Sequence, residues 1–110
     1  VATVESEKVI GWASLSLYRS RAAYRHTLEV SLYVEEGHLR TGIGSRLFSG
    51  LFKSAQTRGT HTLIAVICEE QQASIQFHEK RGFKFAGRLE QVGFKFGRWL
   101  NTVSMQLMML

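Results

Sequence analysis

Apolar and polar residues alternate twice in the first third of the chain. Between Val9 and Leu17, Val9, Gly11, Ala13, Leu15 and Leu17 share one face while Ile10, Trp12, Ser14 and Ser16 share the other, the two-residue period of a half-buried strand. Val1 to Val4 reads as a short partner for it. Residues 18–26 break the pattern with Arg19, Arg21, Arg25 and His26 and read as a loop. Leu28, Val30, Leu32 and Val34 then alternate with Glu29, Ser31 and Tyr33, which predicts a second strand with an apolar and a polar face.

From Gly42 to about Arg58 the period changes. Ile43, Leu47, Leu51 and Ala55 recur every fourth residue with Phe48 and Phe52 beside them, the stripe of a core-facing helix, and Gly59 is placed to end it in a left-handed cap. Thr62 to Cys68 is continuously apolar rather than alternating, as expected of a central strand covered on both faces. A second helix is predicted from about Gln72 to Arg81, ending at Gly82 with Phe83 packing back on it. Lys84 to Phe96 and Trp99 to Leu107 read as two further strands with Gly97 near the turn. The order strand, strand, helix, strand, helix, strand, strand predicts an α/β chain, a mixed sheet with helices packed on it, whose strand-to-helix junctions can carry a site.

Composition narrows the options. A chain of 110 residues is the size of one domain, so residues 1–110 are expected to form a single unit. Apolar residues make up 45% and charged residues 21%, as in ordinary globular proteins, and no apolar run reaches the roughly 20 residues of a membrane span. Fourteen Lys and Arg against nine acids give a net charge of +5, and the pI is about 9.8, which points to an anionic partner. Aspartate and proline are absent, and Cys68 is the single cysteine, which excludes a disulfide framework and a cysteine zinc site; no metal is expected. Val1 is not a methionine and no signal-peptide pattern follows it, so the chain is expected to be part of a longer protein or a processed form.

The candidate chemistry lies at the first junction. His38-Leu39-Arg40-Thr41-Gly42-Ile43-Gly44-Ser45 joins a strand to a helix, where glycines permit a tight turn and the first helical amides lack internal acceptors. Such a place suits a pyrophosphate, although Gly-x-Gly also occurs in ordinary connections. The second segment is Gln71-Gln72-Ala73-Ser74-Ile75-Gln76-Phe77-His78-Glu79-Lys80-Arg81-Gly82-Phe83.

Together these segments resemble two motifs of the GNAT superfamily of acetyl-CoA-dependent N-acetyltransferases. The first family pattern is Gln or Arg, two residues, Gly, one residue, then Gly or Ala. The second is Asn-x-x-Ala-x-x-x-Tyr-Glu-Lys-x-Gly-Phe, and the order and separation of the two agree. The runs from Ala23 to Val34 and from Val92 to Trp99 are similar to segments of the phosphinothricin acetyltransferase subfamily. The resemblance covers essentially the whole chain, yet members usually begin upstream with a further strand and two helices that wall the acceptor site. The chain is therefore expected to be a core that is short at its N-terminus.

The resemblance implies a cytoplasmic, homodimeric N-acetyltransferase that uses acetyl-CoA and acts on a small amino acid-like amine of the phosphinothricin or methionine sulfoximine type. It implies that the amides of Arg40, Thr41, Gly42, Ile43, Gly44 and Ser45 hold the pyrophosphate, with the Arg40 side chain adding charge. Leu32, Tyr33 and Val34 would pair with the pantetheine arm as an added strand, and Gln71 and Lys80 would be further cofactor contacts. Glu29 is the candidate base; an ordinary Glu pKa of about 4.3 is low for deprotonating an ammonium, and a Glu merely pairing with a neighbour is the competing reading. His78 stands where many members place the tyrosine that protonates the departing thiolate, with Ser74 a weaker alternative; a structural histidine competes. Arg19, Arg21 and Tyr24 are candidates for an acceptor carboxylate or phosphinate, since arginine offers paired donors, against a plain solvated loop. Two departures from the motifs bear on the cofactor: Leu39 stands for the usual Gln or Arg, and Gln71 for the usual Asn.

Two other functions compete with this one. One is an acyl-CoA-binding remnant or dimeric module without a complete acceptor site. The other is nucleic-acid binding, suggested by Lys80, Arg81, Lys84, Arg88, Lys95 and Arg98 with Glu90 alone among them; charge is its only support, and no nucleic-acid motif accompanies it.

Overall fold

The computed structural model describes residues 2–5, 8–35 and 42–109. Six strands and two helices are present among them: β1 (Ala2–Glu5), β2 (Lys8–Leu17), β3 (Thr27–Val34), α1 (Ile43–Thr57), β4 (Thr62–Cys68), α2 (Gln72–Lys80), β5 (Lys84–Lys95) and β6 (Arg98–Met108). They form one mixed sheet in the order β1-β2-β3-β4-β6-β5. Every neighbouring pair is antiparallel except β3 and β4. A parallel pair needs a crossover, and α1 supplies it. The expected loop before β3 contains one short 3₁₀ turn, Ala22–Tyr24.

The register explains the core. Leu15 stands opposite Val30 and Leu17 opposite Leu28; Leu28 pairs with Leu63 and Val30 with Ala65; Leu63, Ala65 and Ile67 meet Leu107, Met105 and Val103. Cross-strand partners share a face, so the alternating apolar sets merge into one surface. Helix α1 lays Ile43, Leu47, Phe48, Leu51 and Ala55 on it, and α2 joins the same core through Ile75 and Phe77. The helices meet edge to face at Phe48 and Phe77, with ring centroids 6.1 Å apart. Gly59, with φ 70°, and Gly82, with φ 95°, end the helices in the left-handed conformation that glycine takes without a Cβ penalty.

The expectation that β4 is covered on both faces is corrected. Leu63, Ala65 and Ile67 are buried under the helices, but Val66, on the opposite face, is 46% exposed. Both described helices contribute to the one core, so an apolar run signalled two apolar faces without two covers. Trp12 and Tyr33 lie on that open face, stacked with centroids 6.2 Å apart.

The β5–β6 hairpin departs from simple alternation at two bulges, between Phe85 and Gly87 and between Leu89 and Gly93. Gln91 takes φ 53° within the second, an uncommon conformation for a residue with a Cβ. Its N–H donates to the Asn101 side-chain oxygen at 2.9 Å.

Candidate active site

The parallel pairing of β3 with β4 begins at Thr27 opposite Thr62 and stops at Val30 opposite Ala65. Both strands continue, β3 to Val34 and β4 to Cys68, held on their outer sides by β2 and β6. Beyond Val30 they diverge into a wedge, and the wedge-facing backbone groups of residues 31–34 have no strand opposite them. A cavity of about 130 Å³ opens there, between Leu32 and Ile67, with Trp12 on one side and Gln71, Ser74 and His78 of α2 on the other.

Residues 71, 74 and 78 project together because three- and four-residue steps return to one helix face. His78 is buried, and its ring meets Phe83 edge to face at 5.0 Å. Its Nδ1 lies 2.8 Å from the Ser74 carbonyl oxygen. A carbonyl only accepts, so Nδ1–H is the donor and Nε2 carries the lone pair in the neutral ring. Burial is the main cause holding the pKa below the ordinary 6.5, with the Arg81 charge adding to it; the Ser74 hydrogen bond opposes both. The ring is therefore neutral near pH 7 and presents Nε2 as an acceptor.

Leu32, Tyr33 and Val34 form the divergent end of β3, next to the N-terminus of α1. Gly42 precedes that helix with φ 86°, and a Cβ there would meet nothing within 4 Å, so the constraint is conformational rather than steric. The first turn contains no acid and has no side-chain cap at Gly42. Its leading amides, from Ile43 to Ser45, therefore lack intrahelical acceptors. Arg40 and Thr41 lie outside the described residues. Lys80 is exposed and lies about half a turn from the face of Gln71, Ser74 and His78 at roughly 100° per residue, so α2 does not bring it to the wedge.

At the opposite end of β3, Arg19, Arg21 and Tyr24 come together with Tyr18 and Ser20 around a cleft of about 350 Å³. The Arg19 guanidinium lies 4.1 Å from the Tyr18 ring centroid, and its Nη1 donates to the Tyr18 carbonyl at 2.9 Å. The Tyr18 N–H reaches the Thr27 carbonyl at 3.4 Å, which seats the cleft at the start of β3. By strand rise it lies roughly 13 Å from the point of divergence near Ser31. Glu29 stands between, half-buried, opposite Ser16 on β2 and Ile64 on β4. No cluster of His, Cys or Glu that could hold a metal ion occurs among the described residues.

The basic cluster of the second half is largely engaged within the fold. Arg88 forks onto Glu69 and Arg98 onto Glu70, and these partners hold both carboxyls below their ordinary 4.5. Arg81 is stacked on Phe77 with 3.4 Å from Cζ to the ring centroid. Lys95 lies over the Phe96 ring at 5.2 Å, so four of the six cations suggested for nucleic-acid binding have structural partners, and the patch expected from charge counting is correspondingly weakened. The acids lie 19 and 28 residues upstream of their arginines, beyond local charge reading. Sequence reasoning also missed Trp12 at the wedge, whose only signal was a large aromatic on the strand face that it shares with Ser14 and Ser16.

The acetyltransferase (GNAT) domain family matches residues 2–103. The L-amino acid N-acyltransferase MnaT of Escherichia coli (strain K12) is 42% identical over 103 residues, 94% of this chain and 60% of that protein. The L-methionine sulfoximine/L-methionine sulfone acetyltransferase of Salmonella typhimurium is 41% identical over the same shares. A crystal structure of a GNAT superfamily phosphinothricin acetyltransferase from Sinorhizobium meliloti in complex with AcCoA matches with TM-score 0.86 at 40% identity, covering 98% of this chain and 58% of that one. The chain thus spans about 60% of the length of the curated relatives it matches. No described helix is long and apolar enough to cross a membrane.

Proposed function

This chain belongs to the GNAT acetyltransferase family, and we propose that it carries the acetyl-CoA site of an N-acetyltransferase for a small amino acid-like amine. The observation that carries this reading is the divergence of β3 from β4 after Val30 and Ala65. It leaves a row of backbone donors and acceptors on residues 31–34 beside a cavity of mixed polar and apolar lining, which fits the amide-bearing arm of acetyl-CoA by strand addition. The turn at Gly42 and the amides of residues 43–45 fit its phosphates. The Sinorhizobium meliloti relative, solved in complex with AcCoA, supports the same fit.

Acetyl-CoA supplies an activated acyl group. The chain's own residues must position it, take a proton from the acceptor ammonium and hold the acceptor's anionic groups. Along β3 these tasks fall in a line. The phosphate end lies at Val34 and α1, the arm along residues 32–34 and the reacting end near Ser31. Glu29 follows, then the cleft of Arg19, Arg21 and Tyr24. An amino acid whose amine lies toward Glu29 would present its carboxylate or phosphinate to the arginines, whose planar forks match such groups. With Nδ1 committed to Ser74, His78 offers Nε2 as a second proton acceptor, and the proton taken from the ammonium passes to the departing thiolate as the carbon–sulfur bond breaks and the amide bond forms. The names of the relatives, which include methionine sulfoximine and phosphinothricin enzymes, support this acceptor class.

One observation favours a second reading. The face with Trp12, Tyr33 and Val66 is open among the described residues, which fits a module that binds coenzyme A without transfer. Thiol release from acetyl-CoA in the presence of methionine sulfoximine, phosphinothricin and a panel of amino acids separates the two. Release that depends on the amine is expected. Calorimetric binding of coenzyme A without release from any amine would select the binding module, and absence of binding by folded protein would end both readings.

A further inference from the structure

Arg81 joins the two helices that flank the wedge. It stands just after α2, at a position left free in the motif quoted above. Its Nη1 donates to the Phe77 carbonyl at 3.0 Å, one of the last carbonyls of α2 and without an intrahelical donor. The guanidinium lies face-on over the Phe77 ring, 3.4 Å from its centroid, and 5.8 Å from that of Phe48 on α1. The other end of the fork, Nη2, donates to the Ser45 hydroxyl, in the first turn of α1. At Gly44 beside it, an added Cβ would already stand 3.5 Å from the Phe77 ring. The start of α1 therefore rests on Phe77 and is tied to it by one guanidinium.

The electrostatics of this tie are uneven. A cation at the C-terminal end of α2 is favourable because the helix dipole is negative there. The same cation sits at the positive end of α1, whose first turn also holds Arg46 and no acid. Like signs at that end are unfavourable until an anion arrives. Burial of the guanidinium weakens its hold on the proton relative to a free arginine, as expected where the charge is only partly compensated.

We infer that Arg81 is a positioning residue for coenzyme A, holding Ser45 and the first turn of α1 against Phe77 so that the turn's amides are fixed for the phosphates. This rests on the reading that acetyl-CoA occupies the wedge. Fixing donors before binding reduces the ordering cost on association. A lysine cannot replace the fork, because it has no planar face for Phe77 and no rigid pair of donors.

The test compares wild type, Arg81→Met, Arg81→Lys and Ser45→Ala by calorimetric titration with coenzyme A, by hydrogen exchange at residues 43–46 and by kinetics. In Arg81→Met, coenzyme A binding is expected to weaken at least about tenfold, with faster exchange confined to that turn. KM for acetyl-CoA is expected to rise with little change in kcat or in KM for the amine. Arg81→Lys recovers only part of the loss. The effects of Arg81→Met and Ser45→Ala are expected to overlap rather than multiply in the double variant, as for groups acting through one contact. Unchanged affinity in Arg81→Met, or a fully additive double variant, overturns the inference. Should Arg81→Met not fold, Arg81→Lys decides by the same measures, and unchanged affinity there has the same meaning. Failure of wild type to bind coenzyme A instead removes the functional reading, while the exchange experiment still reports whether Arg81 fixes the turn.

Discussion

The two strand-to-helix junctions of this sheet are built from different materials. The first, from β3 to α1, relies on small residues and backbone. Gly42 turns the chain at φ 86°, and Gly11, opposite Val34 at the end of β3, leaves room for the helix. A Cβ at Gly11 would stand 3.0 Å from the Tyr33 carbonyl oxygen and 3.1 Å from Leu47. The second junction, from β4 to α2, relies on charged side chains. Glu69 and Glu70 follow β4 and are gripped by Arg88 and Arg98, while Asn101 donates to Glu69 at 3.1 Å and receives the N–H of Gln91. The first suits a ligand because the polar groups at the start of α1 belong to the backbone, and among the described residues its N-cap, Gly42, makes no side-chain cap. The second has used its charges to fasten the hairpin.

The sharpest way to break this contrast is to add bulk at the first junction. Gly11→Val places atoms where Ile43, Leu47 and the Tyr33 carbonyl already sit, and overpacking of this kind costs roughly 1–3 kcal/mol. Urea unfolding is expected to show that loss; stability equal to wild type would mean that α1 is not seated on β2 as described. Gly42→Ala comes next. Its Cβ has open space, so only the left-handed backbone is penalised, by about 1–2 kcal/mol. Because the strain falls on the turn itself, coenzyme A affinity should drop more steeply than stability. Equal affinity in titrations of the variant and wild type would remove Gly42 from the phosphate site.

The contrast also explains what could be read in advance. Strands β2 and β3, helix α1 and the glycine ends at Gly59 and Gly82 follow from local periodicity and backbone preference, which the chain states residue by residue. The glycine turn at Gly42 was legible for the same reason, since its left-handed backbone is what the residue itself permits. The wedge was not legible from residues alone, because the point at which Val30 and Ala65 part company is a property of two strands that are 35 positions apart. Only the pairing of Leu32, Tyr33 and Val34 with a pantetheine arm entered, as an implication of resemblance. Lys80 and Arg81 show the limit most clearly. They are adjacent in sequence and alike in charge, yet helix pitch turns one to solvent and the other onto Phe77 and Ser45. The pairing of Glu69 with Arg88 was missed for a related reason, since it needs the bulged return of β5 beside the start of α2.

Acid provides the mildest probe and distinguishes the buried ring of α2 from the ion pairs that precede it. His78 has its pKa lowered from 6.5, chiefly by burial. The unfolded chain therefore takes up a proton before the folded one does, and stability present above pH 6.5 declines as pH falls toward the folded value. Glu69 and Glu70 have pKa values lowered from 4.5, first by their hydrogen bonds to Arg88 and Arg98. Their contribution is fully present above 4.5 and is lost as pH drops through the lower folded values. Both pairs are exposed, so solvent and salt screen them and the second decline should be the shallower. Denaturant midpoints measured from pH 8 to pH 3 are expected to fall in two stages. His78→Gln should remove the upper stage, and Glu69→Gln with Glu70→Gln should flatten the lower one while leaving the upper intact. A single decline below pH 4.5 that is insensitive to His78→Gln would mean that the ring is not held neutral, and Nε2 would then not be the proton acceptor assigned to it.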